Sequence, residues 1–383
     1  MNRRLSMHVL KSALIGATAG LMACSSASGT VMMQGSGSGS GSPPGPGSGT
    51  GPGTGSSDGS LSGSSGDSGP TAPAGGSWQT QSAPEAANEL HGVWGSGPND
   101  VWAVGDAGTI LHWNGTAWTD FTGPTIANLY AVWGTSSTDV WAVGTEDDSN
   151  PQTVLHWNGT AWSSVDASAA GGGLSAVWGS GPDDVYAVGT PEADDAILIH
   201  WNGSAWQQVV QTAASDPLNA IWGSGPNDVY IVGDNTELIH WDGSAWSLVV
   251  FDAVVAAAIG VSGGYTDWSC VWGSGPDNVY VAGEVGEMIQ WNGTAWSLVM
   301  TPQYDNMAFQ SIFGFGPDYV LAGGQGFILQ WNGTTWSSPW NSAYENVVNS
   351  MWGSSPGSVW GAGVLGDNDA GTGNGVQMIL QYQ

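Results

Sequence analysis

Leu90-His-Gly-Val-Trp94-Gly-Ser-Gly-Pro98-Asn-Asp100-Val-Trp102-Ala-Val-Gly105, followed after a short gap by Thr109-Ile-Leu-His112-Trp113-Asn114-Gly115-Thr-Ala-Trp118, is a sentence that this chain writes seven times. Its apolar runs are four to six residues long, alternate with small or polar residues, and are bounded by Gly, Pro, Asn and Asp. That pattern predicts short strands at 90–94, 101–104, 109–113 and 116–121. A repeat of about 40–45 residues holding four strands is one blade of a β-propeller. The expected fold is therefore all-β: a seven-bladed propeller of four-stranded antiparallel blades, spanning 77–383.

Each turn of the blade has its own chemistry. Pro98 presets φ for the link between the first two strands, and Asp100 is placed to accept hydrogen bonds there. The same proline returns at Pro182, Pro226, Pro276, Pro317 and Pro356. Asn114-Gly115 between two strands predicts a type I′ hairpin with positive φ at both residues. The first-strand aromatics Trp94, Trp133, Trp178, Trp222, Trp272, Phe313 and Trp352 mark the seven blades. Blade seven ends at Gln383 without a fourth strand. Ser77-Trp78-Gln-Thr-Gln81 matches the missing piece, so the N-terminal segment is expected to close the ring and remove the exposed edges. Of the 24 tryptophans, all but Trp268 and Trp340 occupy repeated positions. Repetition in every blade marks them as core.

Upstream of the repeats lie two segments of different character. Arg3, Arg4 and Lys11 precede a short apolar stretch ending in Leu21-Met22-Ala23-Cys24. It is too short to span a bilayer and reads as a signal peptide over 1–23. The tetrad resembles the lipobox of bacterial lipoproteins, which implies that Cys24 is the lipidated first residue. Ser25 after it implies the outer membrane or the cell surface. Residues 24–76 are then the lipidated Cys and a Gly/Ser/Pro-rich disordered linker, with a mean reach of about 40 Å. Cys270 is the other of the two cysteines, so no intrachain disulfide is expected once Cys24 is modified.

Beyond Lys11 the chain has no Lys and no Arg, while all 32 of its acidic residues lie there. Phosphate and nucleic-acid recognition rest on those cations, which excludes nucleic acid and direct attraction to anionic lipid. Membrane contact is expected through the lipid anchor alone, and the propeller is expected to be monomeric. The segment Gly95-Ser-Gly-Pro-Asn-Asp100 is no phosphate loop, because no Lys follows and a strand comes next. Gly353-Ser-Ser355-Pro-Gly357 matches a nucleophile elbow only in spelling. No catalytic residue is assigned.

Where the blades differ, function is expected. Links between second and third strands, and between blades, lie on one face of the disc and vary in length and composition. That face carries the candidate ligand residues Tyr265, Tyr304, Trp340 and Tyr344, with Trp268 at the start of blade five. A second set is the next-to-first position of each first strand: His91, Tyr130, Ser175, Asn219, Ser269, Gln310 and Asn349. It is polar in every blade and seldom the same, as a ligand-reading ring near the axis would be. His112, His156, His200 and His240 give way to Gln290, Gln330 and Gln381 in later blades, which suits a hydrogen-bonding side chain between blades and not a metal ligand. No cofactor is required. Calcium is the one cation these loops suit, with Asp147, Asp148, Asp194, Asp195, Asp367 and Asp369 as candidate ligands, because hard cations take clustered oxygens.

The repeat resembles those of bacterial secreted and lipoprotein β-propellers. It is distantly similar to kelch repeats, though a double glycine of that kind stands only at Gly323-Gly324. It also shares a turn glycine and closing tryptophan with the Asp-box of sialidase-like propellers. Sialidases hold their substrate's carboxylate with arginines, and none is present here outside the signal segment. Two readings remain: a non-catalytic envelope platform binding a protein or carbohydrate partner, and an enzyme acting on polysaccharide through loop carboxylates.

Overall fold

The computed structural model describes residues 76–84, 88–145, 153–190, 196–209, 214, 216–251, 255–256, 266–301, 307–366 and 376–383. These form seven four-stranded antiparallel sheets, each a blade with strands A to D in order. In blade one they are Leu90–Gly97, Asp100–Gly105, Ile110–Trp113 and Trp118–Asp120. Strand A is longer than the sequence predicts, because the backbone ladder continues through Gly95-Ser-Gly to the A–B turn. The A strands pack each on the next around the ring, with blade seven against blade one. The chain is thus a seven-bladed propeller.

Blade seven has strands A to C at Val347–Ser355, Ser358–Leu365 and Val376–Tyr382, and takes its fourth strand, Trp78–Thr80, from the other end of the chain. Trp78 pairs with Tyr382 and Thr80 with Leu380. The Trp78 and Tyr382 rings meet edge to face at 5.5 Å. Residues some three hundred positions apart therefore share one sheet, and the ring has no open end.

The Trp-Gly pair that recurs in strand A explains how blades fit together. A Cβ added to Gly134 would stand 2.8 Å from the Trp94 indole of the preceding blade. Trp133 covers Gly179 in the same way, Trp178 covers Gly223, Trp222 covers Gly273, Trp272 covers Gly314 and Trp352 covers Gly95. Each blade thus supplies a large ring on one side and a bare backbone on the other. At the blade six–seven joint Phe315 stands over Gly353 instead, because blade six carries Phe313 and not Trp.

The C–D turn departs from the expected type I′. Gly115 alone takes positive φ, at 90°. Asn114 works through its side chain: Oδ1 accepts hydrogen bonds from the backbone N–H groups of Thr116 and Ala117, at 3.0 and 3.1 Å. The connection is a four-residue Asx loop between Trp113 and Trp118, which pair directly. In blade four Asp242 takes the Asn place and the Ser244 and Ala245 donors hold its carboxyl down to about 2.

Candidate functional site: the polar belt and the acidic mouth

The polar position of strand A sits on a β-bulge in all seven blades. In blade one Leu90 pairs with Gly105 and Gly92 with Val104, so His91 faces no partner across the ladder. The same slip places Tyr130, Ser175, Asn219, Ser269, Gln310 and Asn349. A bulge re-aims a side chain out of the sheet's alternation, and such bulges are frequent beside functional sites. Because strand A lies innermost and the bulge follows the inter-blade link, these seven side chains form a belt at one mouth of the ring.

Several members of the belt reach the next blade. Asn219 donates to Trp268 O at 3.0 Å, Ser269 to Phe309 O at 2.5 Å and Asn349 to Leu90 O at 2.9 Å. The carbonyl is that of the residue just before the neighbour's bulge in each case. The His91 ring lies 5.0 Å from that of Tyr130. Gln310 is fully buried, and neither Nε2 nor Oε1 has a partner among the described residues. A buried, unpaired carboxamide costs about 1–3 kcal/mol, which marks this stretch of the belt as unfinished.

Carboxylates gather on two sides of the mouth. Across blades seven and one, Asp106 Oδ1 lies 2.8 Å from His91 Nε2, and Glu89 Oε1 accepts from Asn349 Nδ2 at 2.8 Å. Across blades four and five, Asp234 accepts from Asn219 at 2.8 Å and Asp267 from the N–H of Asn235 at 3.0 Å, with Glu284 beside them. Burial, and then the charges of Asp267 and Asp216, raise the Asp234 carboxyl above its ordinary value despite the Asn219 bond. Crowding by protein, then the charges of Asp267 and Asp234, raise Glu284 likewise. Burial also raises the Tyr130 phenol against a hydrogen bond from Asn128, with the charge of Asp106 adding to the rise. No group of three His, Cys, Asp or Glu side chains suited to a metal occurs among the described residues.

The sequence candidates divide. His91, Tyr130 and Asn219 occupy the bulge positions of blades one, two and four; the first two are buried, at 4% and 7% exposed, and Asn219 is half-buried. Trp268 is 0% exposed in strand A of blade five, so as a ligand residue it is corrected to core: it pairs with Gly283 and offers its surroundings only a backbone carbonyl. Trp340 lies not in a loop but in strand D of blade six, Trp336–Asn341, where a bulge lets it pair with Ile328; it is half-buried. Tyr344 is exposed beyond that strand. Tyr265, Tyr304, Asp147, Asp148, Asp194, Asp195, Asp367, Asp369 and Cys24 lie outside the described residues.

The strand-C histidines are also corrected. They bond within their own blade, not between blades: His112 Nε2 lies 2.6 Å from Asp100 Oδ1, and His156 stands 2.6 Å from Asp139. His200 and His240 lie 2.7 Å from Asp184 and Asp228. Blade five makes the same bond with Gln290 donating to Asn278 at 2.7 Å. The signal is present in the sequence: His occurs where the turn residue is Asp, and Gln where it is Asn278, Tyr319 or Ser358.

No family model matches the chain, and no curated protein matches it. Solved structures are similar in fold. YCF48 bound to D1 peptide is 17% identical with a TM-score of 0.58, covering 80% of this chain and 96% of its own. A catalytically inactive variant of virginiamycin B lyase from Staphylococcus aureus, with quinupristin, is 10% identical with a TM-score of 0.63, covering 80% and 99%. The WD40 propeller domain of Doa1 is 13% identical with a TM-score of 0.57, covering 80% and 96%. At such identities the shared property is the propeller platform itself.

Proposed function

We propose that this chain is a cell-envelope lipoprotein, anchored through Cys24, whose propeller is a non-catalytic platform binding a protein partner at the mouth that bears the belt. The observation that carries the reading is the belt. Nearly every other inward position repeats from blade to blade, yet these seven bulge residues are His, Tyr, Ser, Asn, Ser, Gln and Asn. A structural latch alone would repeat; six of the seven are buried, so a partner meets the belt through the carboxylates that rim it, Asp106, Glu89, Asp234, Asp267 and Glu284. Propeller relatives in fold include one holding a peptide, which supports a protein ligand over a carbohydrate. Burial of Trp268 removes one of the two tryptophans outside the repeat on which a sugar would stack.

Anchoring and binding are tested separately. Palmitate labelling of the full chain should disappear in Cys24→Ala. A photo-crosslinking side chain at Tyr344 or Glu284 should capture protein in the source cell, and the same group at Thr116, on the opposite face, should not. Equal capture from both faces, or none from the mouth, would overturn the platform reading. Turnover of a polysaccharide that Glu284→Gln abolishes would instead establish the enzyme reading.

A further inference from the structure

The C–D loops of blades one to six are built on one plan, and blade four differs from the other five by a single atom group. Asn114, Asn158, Asn202, Asn292 and Asn332 each precede a glycine, whereas Asp242 precedes Gly243 in blade four. Oδ1 of each asparagine accepts from the backbone N–H groups of the two residues after the glycine, at 2.9–3.1 Å. Asp242 receives the same two bonds, at 2.8 and 2.9 Å. In blades three and five a hydroxyl is a third donor: Ser204 Oγ to Asn202 and Thr294 Oγ1 to Asn292, each at 2.7 Å. The loop gathers donors around one side-chain oxygen, whether that oxygen belongs to a carboxamide or a carboxylate.

The other half of the carboxamide is open to water. All five asparagines are exposed. Among the described residues neither their Nδ2 groups nor the N–H groups of Gly115, Gly159, Gly203, Gly293 and Gly333 make a hydrogen bond. Glycine has no side chain to hold its nitrogen away from the Cγ of the residue before it. Attack of that nitrogen on Cγ builds negative charge on Oδ1, and fixed donors aimed at the atom where charge develops are what lower such a barrier.

We propose that the asparagines of these five loops are modification sites at which the folded chain converts itself to aspartate. The glycine nitrogen gives its proton to water and bonds to Cγ; the Cγ–Nδ2 bond breaks, ammonia leaves and a succinimide ring remains. Water then adds to Cγ, the bond from Cγ to the glycine nitrogen breaks, and that nitrogen regains a proton. One water enters and one ammonia leaves, with no change of oxidation state. Opening the ring at the main-chain carbonyl would instead give isoaspartate and a backbone longer by one carbon. The donors are aimed at the Cγ oxygen, so they favour opening there, and the loop keeps its shape. Blade four supports this end state: the Ser244 hydroxyl, then the N–H groups of Ala245 and Ser244, hold the Asp242 carboxyl down to about 2, so the loop suits the anion. Each conversion adds one negative charge to the face opposite the mouth and leaves the belt untouched.

The test holds the folded full chain for weeks near neutral pH in heavy-oxygen water. Each loop is then followed by mass spectrometry of chymotryptic peptides, with fragmentation that separates aspartate from isoaspartate. Aspartate carrying one heavy oxygen is expected at all five positions, and as a smaller share in the chain unfolded in urea, where isoaspartate should dominate. Asn202 and Asn292, with the third donor, should convert about threefold faster than the other three. Ser204→Ala and Thr294→Val remove only the hydroxyl donors and should bring those two loops to the common rate. A melting temperature unchanged in the variants shows that they remain folded. Intact asparagine in all five loops, an isoaspartate share as large in the folded chain as in the unfolded one, or variants that convert as fast as the parent would each overturn the proposal. So would a group found attached to Nδ2, since it would block the loss of ammonia.

Discussion

Nε2 of His112 stands 2.6 Å from Oδ1 of Asp100, and the imidazole lies stacked on Trp102 at 4.1 Å. Asp100 also accepts from the Ser96 hydroxyl, so one carboxylate ties the A–B turn to strand C. Blade five shows that the tie does not require charge: Asn278 and Gln290 take the two places, and Asn278 donates to Ser274 at 2.8 Å. His112→Ala should therefore cost about 1–3 kcal/mol by leaving Asp100 short of a donor. The double exchange Asp100→Asn/His112→Gln should recover most of that loss. Denaturant melts of the two variants check this, and a double variant no better than the single one would refute the equivalence.

A second prediction concerns the joint between blades. Gly134→Ala places a methyl against both the Trp94 indole and the carbonyl of Asp139. Neither can retreat, since one is packed between blades and the other is in a strand. Overpacking of this kind costs about 1–3 kcal/mol. Gly97→Ala, in the corresponding strand of blade one but with open space around it, should be nearly neutral. Thermal unfolding of the pair separates the packing effect from any general intolerance of strand A to a side chain.

Ring closure gives a third. Deleting residues 77–82 removes the strand that pairs with Val376–Tyr382 and uncovers an edge of blade seven. The fold should lose stability sharply, and Trp78→Ala alone should cost about 3–5 kcal/mol, as large buried aromatics do. An unchanged melting curve for the deletion would mean that the closing strand contributes nothing.

What is legible in the sequence follows from what repeats. The blade period, the strand order and the closing strand at Trp78 can all be read because seven copies of one pattern average away local ambiguity. The turn at Asn114 is ambiguous because Asn-Gly suits two different loops, and only the register of Trp113 with Trp118 decides between them. The His–Asp bond escapes notice although the two positions vary together, since a bond twelve residues away is invisible to a rule about adjacent positions. The belt at His91 and its counterparts stands out by its variation, but that it rests on a bulge is a property of ladder register. Trp268 misleads because an aromatic outside the repeat looks like a surface addition, whereas here it fills the core at a position held elsewhere by Leu90, Leu129, Leu174 and Leu218.

The dependence of stability on pH should have two limbs of opposite sign. Burial raises the carboxyls of Asp100, Asp139 and Asp184, but the bonds from His and from Ser96, Thr135 and Ser180 outweigh it and hold them below the ordinary 3.8. Their contribution is present above pH 3.8 and is lost as pH falls through the lowered folded values. Asp234, Glu284 and Glu287 are raised, from 3.8, 4.5 and 4.5, first by the loss of hydration among crowded protein groups and, for Asp234 and Glu284, then by neighbouring carboxylates. Their contribution is present below those values and is lost as pH rises through the raised ones. The melting temperature should therefore peak in mild acid and fall on both sides. Asp234→Asn with Glu284→Gln should flatten the alkaline limb and leave the acid limb in place. An alkaline limb unchanged by that pair would show that the crowded mouth does not set it.

Salt should act on the same repulsion. Among the described residues every ion pair involves a histidine, because no Lys or Arg lies among them. Added NaCl has no lysine or arginine bridge to weaken here, and its main action is to screen carboxylate from carboxylate over about 10 Å at roughly 0.1 M. The melting temperature at neutral pH should rise from low to moderate NaCl, the reverse of a fold laced with surface ion pairs. The rise should shrink in Asp267→Asn, which removes the charge that both Asp234 and Glu284 face. It should also shrink as the pH is lowered toward about 4.5, where protonation does the work that salt does near neutrality. A melting temperature that falls over the same salt range would mean that screening weakens the histidine–carboxylate pairs more than it relieves the mouth.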